Sequence, residues 1–117
     1  MGYCVEWDGK RWLFPGDVRT FAEDRLPRLG RLDGAFVHLW LGRGAALAEE
    51  PPHLEAFCRF CADLGAPRIV LTHLWEVGRP VEECWTDRHA QRVRRRLNEL
   101  APGLEVAVAK MGEWVDL

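Results

Sequence analysis

Three short apolar runs interleaved with two amphipathic helical stretches constrain this chain more than any other feature. Residues 35–41 are apolar except for His38, Arg68–Thr72 has Ile69, Val70 and Leu71 at its centre, and residues 104–109 are again mostly apolar. Runs of this length read as strands buried in a sheet. Between the first two, Leu54, Phe57, Cys58, Cys61 and Leu64 recur at helical spacing after Pro51-Pro52, and Gly65 can cap the helix at its C-terminus. Between the last two, Ala90, Val93, Leu97 and Leu100 lie on one face of a helix over residues 87–100 that Pro102-Gly103 ends. Strand, helix, strand forces a right-handed parallel crossover, because a hairpin cannot contain a helix of this length.

The two ends add hairpins. Tyr3–Trp7 alternates around Val5, Asp8-Gly9 follows, and residues 11–14 form a second run. Asp-Gly between alternating runs predicts a type I′ turn, whose centres both need positive φ. Pro15-Gly16 ends the second strand and leaves Asp17 just beyond it. Thr20 could cap a short helix over residues 21–26, stopped by Pro27. Residues 104–109 and 113–117 read as a closing strand pair around Lys110-Met111-Gly112. The expectation is one α/β domain over residues 1–117, with a mixed β-sheet, a hairpin at each end and the two main helices on one face.

Hydrophobic residues make up 48% of the 117, enough for a core, and six are Trp. The formal charge of -2 offers no electrostatic case for binding nucleic acid, and no apolar stretch is long enough to span a bilayer. No signal peptide opens the sequence, so the four cysteines are expected as reduced thiols of a cytoplasmic protein.

Ligands of α/β sheets sit beyond the carboxyl ends of the strands. Asp17, His38 and His73 fall at such ends. A carboxylate with imidazoles suits zinc, iron or manganese. Each has a plainer reading: a His in an apolar strand is ordinarily a hydrogen-bonded core residue, and Asp17 can be a turn residue. Trp40 and Trp75, which follow the repeated His-Leu pairs, could wall a cleft, but core filling is the favoured reading. Cys58-x-x-Cys61 has the spelling of a redox or zinc pair, yet it lies mid-helix on the apolar stripe, where packing is favoured. Arg88, Arg92, Arg94, Arg95 and Arg96 read as a solvated face, and the pairs Glu49-Glu50 and Glu82-Glu83 as exposed loop carboxylates. Gly42-Arg43-Gly44 lacks the strand-to-helix context of a phosphate loop.

The wording around these positions resembles a known family. Gly2-Tyr3, a strand, Asp8-Gly9-Lys10 and then Leu13-Phe14-Pro15-Gly16-Asp17-Val18-Arg19 is similar to the "strand, turn, strand, F-x-G-D" passage of metallo-β-lactamase-fold hydrolases. Ile69-Val70-Leu71-Thr72-His73-Leu74 resembles their late "strand, T-H" passage, and the end of the chain from Val106 to Val115 resembles their final strand pair. The resemblance implies half of an αββα sandwich, the C-terminal one, in a metal-dependent hydrolase of a small-molecule substrate. It implies Asp17 as a metal-bridging carboxylate and His73 as a ligand of the second metal, with zinc, manganese or iron bound. His38 would orient substrate or donate a proton, or join Asp17 and His73 around a single ion. The family's H-x-H-x-D-H motif, which holds most of the first metal, does not occur in this sequence. The resemblance therefore implies a partial site and a partner, either a second copy or a complementary N-terminal half. The alternative is a non-catalytic domain of the same fold that acts through self-association or partner binding.

Overall fold

A computed structural model of the protein describes residues 2–19, 21, 29–42 and 44–117. The short helix expected over residues 21–26 falls largely outside them; Phe21 itself is not helical. Five strands form one sheet in the order β1 (Tyr3–Trp7), β2 (Lys10–Phe14), β3 (Gly34–His38), β4 (Arg68–Thr72) and β5 (Glu105–Val108). Strands β1 and β2 pair antiparallel, and β2 through β5 are all parallel. The sheet is mixed, as the sequence predicts, and the fold is α/β. Helix α1 (Leu54–Asp63) connects β3 to β4, and α2 (Asp87–Leu100) connects β4 to β5.

The hairpin forms for the expected reason. Asp8 and Gly9 have φ of 49° and 73°, and Trp7 pairs with Lys10 across the turn. Consecutive right-handed crossovers put α1 and α2 on the same face of the sheet. One core results: Leu13, Ala35, Val37, Ile69, Leu71 and Val106 point toward Phe57, Cys58, Cys61, Ala90, Val93 and Leu97. Leu39 and Leu41 are fully buried too, although β3 ends at His38, so the apolar run expected as a strand over residues 35–41 finishes as a buried irregular segment.

The other face carries the alternate residues. Trp12 lies flat on Gly34, where an added Cβ would sit 2.2 Å from the indole ring, and Phe14 stacks on Phe36 with ring centroids 4.8 Å apart. Residues 113–117, expected as the last strand of a closing pair, are not a strand, and no second hairpin occurs among the described residues. Instead Lys10 Nζ donates to the Leu117 carbonyl at 3.4 Å and Arg68 Nη1 donates to that of Asp116, so the end of the chain crosses between β2 and β4. Trp114 is left 98% exposed.

Candidate functional site

Parallel pairing of β2, β3 and β4 decides where the polar residues go. Their carboxyl ends share one rim, so Asp17 beyond β2, His38 ending β3 and His73 following β4 are delivered to the same side. The His38 and His73 rings face each other with centroids 5.1 Å apart and planes inclined at 35°. His38 is half-buried rather than a core residue. Burial holds its pKa below 6.5, the neighbouring His73 pushes in the same direction, and the charge of Asp17 opposes both. Asp17 is therefore near enough for its field to reach the imidazole.

Backbone contacts fix the strand ends. Leu39 N–H donates to the Thr72 carbonyl at 3.0 Å, and Thr72 Oγ1 donates to the Val37 carbonyl at 3.3 Å. Past Thr72 the chain bends sharply, because His73 and Trp75 both adopt left-handed backbone, with φ of 70° and 54°. Such conformations are uncommon outside glycine and concentrate at sites where geometry is imposed. The loop is closed by Trp75 N–H donating to the Trp85 carbonyl at 3.0 Å.

Glu76 is a residue that the sequence reading missed. Its carboxylate lies 3.5 Å from His73 Nε2 and 2.9 Å from Arg79 Nε, so it can steer the ring of His73. Its signal was the i, i+3 spacing from His73, which carries meaning only once the loop geometry is known. Asp17 is engaged similarly, with Oδ2 3.0 Å from Arg19 Nη2. Trp40 is half-buried and stacks on His53 at 5.2 Å, and Trp75 is 41% exposed at the rim. Core filling, the favoured expectation for both tryptophans, is thus corrected: the strand-end bend turns Trp75 outward.

The donor types suit a transition metal, but their placement is incomplete. Among the described residues, no three His, Cys, Asp or Glu side chains stand together as a metal-holding group. The paired imidazoles offer two donors, whereas Asp17 acts on His38 through its charge and is itself ion-paired with Arg19. These side chains are of the kinds that ligate transition metals, and among the described residues they do not close a coordination shell.

Elsewhere, Cys58 and Cys61 are fully buried, and burial raises the Cys58 thiol to about 12 and that of Cys61 well above its ordinary range. That excludes a reactive pair in the folded chain. Arg96 is tied to Glu55 at 2.7 Å and Glu99 at 2.8 Å, in keeping with a solvated, charge-balanced face on α2. Glu49, Glu50, Glu82 and Glu83 are exposed. No helix among the described residues is long and apolar enough to cross a membrane. Comparison with known proteins finds no matching family model, no matching curated protein and no matching solved structure.

Proposed function

We propose that the chain contributes the C-terminal half of a metallo-β-lactamase-like αββα sandwich, and part of its metal site, to a metal-dependent hydrolase of a small-molecule substrate. The observation that supports this most is the imidazole pair, His38 against His73 at 5.1 Å, on the rim where the charge of Asp17 acts. Asp17 and His73 are the proposed ligands of zinc, manganese or iron. A bound cation of this kind supplies Lewis acidity and makes a water acidic enough to ionise near neutral pH.

This chain's own residues do the rest. His38, kept neutral by burial, can accept or donate a proton at neutral pH beside the ligands. Glu76 orients the His73 ring through Nε2. Trp75 walls the rim with an exposed apolar surface suited to holding substrate. The remaining ligands would come from a complementary half or a second copy.

The second reading, a non-catalytic domain acting through association, draws on the ion pair that already occupies Asp17. Calorimetric titration with Zn²⁺ and Mn²⁺ separates the two. The hydrolase reading expects weak binding, with Kd on the order of 10–100 μM for a partial ligand set, lost in both Asp17→Ala and His73→Ala. Binding unchanged by both substitutions, or absent from the parent chain, favours the second reading.

A further inference from the structure

We propose that β1 is a self-pairing edge, through which two copies of this chain join β1 to β1 in antiparallel fashion about a two-fold axis at Val5. The observation behind this is the hairpin's hydrogen-bond phase. The turn at Asp8-Gly9 closes with the Trp7 carbonyl accepting from Lys10 N–H, so Trp7 and Lys10 form a narrow, hydrogen-bonded pair. Alternation then directs the backbone groups of Trp7, Val5 and Tyr3 toward β2. Those of Cys4 and Glu6 point away from it. β1 ends the strand order, and all five of its residues are exposed, so this outward row has no ladder partner among the described residues. No proline occurs in β1 to block such an edge, and one acidic side chain, Glu6, is its only charge.

The sequence of β1 selects both the occupant and the register. Pairing centred on Val5 sets Cys4 against the second copy's Glu6 as hydrogen-bonded pairs, and Val5 against Val5 as the close, non-hydrogen-bonded pair. Tyr3 then meets the second copy's Trp7 twice, an aromatic cross-strand pair favoured by about 0.2–1 kcal/mol each. These two rings are 64% and 72% exposed, more than half of each therefore available for contact. The charges agree as well. Glu6, paired with Arg11 of its own copy at 3.2 Å, would also lie over Cys4 of the second copy, whose Sγ is 3.5 Å from that copy's Arg11 guanidinium, so the seam brings two carboxylates together with two guanidinium groups. A shift that centres the axis on Glu6 puts like charges face to face, and one centred on Cys4 leaves Trp7 unpaired. The full-length register is the self-complementary one, as a two-fold interface requires. It leaves the metal rim untouched, so it stands or falls separately from the function proposed above.

Two measurements on the intact chain test it. Sedimentation should show a concentration-dependent dimer, and Glu6→Pro should weaken it about tenfold or more, through loss of edge hydrogen bonds at about 1 kcal/mol each. The proline removes an outward N–H and the exposed Glu6–Arg11 ion pair but no ladder bond between β1 and β2, so far-UV circular dichroism should stay unchanged. In a Cys4→Ser background, Val5→Cys should form a disulfide-linked dimer on mild oxidation, because non-hydrogen-bonded pairs bring Cα atoms within bridging distance. Trp114→Cys in the same background, at a position more exposed than Val5 (98% against 44%), should still link far more slowly. A chain that stays monomeric at several hundred micromolar (roughly the weakest association an edge contact would give) overturns the proposal. So does a dimer indifferent to Glu6→Pro, which would place the contact on the open sheet face. Equal rates for the two cysteine variants overturn it too.

Discussion

A thiol in the middle of an apolar helix stripe keeps its proton. Cys58, pushed up to about 12, and Cys61, held well above the ordinary thiol range by burial, cannot react as thiolates near neutral pH, whereas Cys4 is exposed on β1. A disulfide reagent added to the native protein should therefore label Cys4 quickly and the buried Cys58, Cys61 and Cys84 only on unfolding. Fast labelling of more than one thiol per chain would contradict the core assignment. At Gly34 the prediction is steric. A methyl group there would meet the Trp12 ring at 2.2 Å, and that ring is only 4% exposed and has little room to shift. Gly34→Ala should cost about 1–3 kcal/mol by urea denaturation. The packing of the cysteines is legible in the sequence, because helical spacing alone sets Cys58 and Cys61 on the buried stripe. The left-handed backbone at His73 is not, since neither residue type nor pattern marks a histidine at positive φ.

Helix α2 begins with a device in which a histidine takes the place of the usual Glu. His89 Nδ1 accepts from Thr86 N–H at 2.9 Å, and Nε2 donates to the Ala46 carbonyl at 2.8 Å, which fixes a neutral ring in one tautomer. Thr86→Ala should lower stability by about 1 kcal/mol, read from the thermal midpoint. A shift no larger than that of a surface control would show that the cap contributes nothing. The extent of α2 follows from its apolar period and Pro102-Gly103, but the role of His89 depends on residues 45–47, far away in sequence, and no local pattern reveals it. The end of the chain shows the same limit. Residues 113–117 have the apolar and β-branched content of a strand, but a strand also needs a ladder partner. Lys10 and Arg68 instead draw the terminal carbonyls across the open face. Local composition carries no information about that choice.

At the scale of the molecule, the parallel order of β2 to β4 brings Asp17, His38 and His73 to one rim, and the alternation of runs and helices makes that order readable in advance. What the sequence leaves open is the closeness of these three side chains, because loop conformation and the pairings of Asp17 with Arg19 and His73 with Glu76 decide it. The half-buried and buried histidines also set a pH response. His38 and His89 both have folded pKa values below 6.5, so on acidification the unfolded chain takes up protons first. Their contribution is fully present above about pH 6.5 and declines as the pH falls toward the folded values, then levels off. The urea midpoint should thus drop between pH 7.5 and pH 5.5, and drop less in His89→Gln, whose side chain does not titrate. A midpoint that rises on acidification would reverse the assignment.

Proton NMR of the imidazole rings during titration with Mn²⁺ examines the proposed cation site at the rim most directly, since relaxation falls off steeply with distance from the ion. The resonances of His38 and His73 should broaden together at substoichiometric Mn²⁺, ahead of His53 and His89, and Asp17→Ala should abolish the effect. Broadening confined to His53 or His89, or a His38 and His73 pair that Mn²⁺ leaves sharp, would contradict a shared cation site.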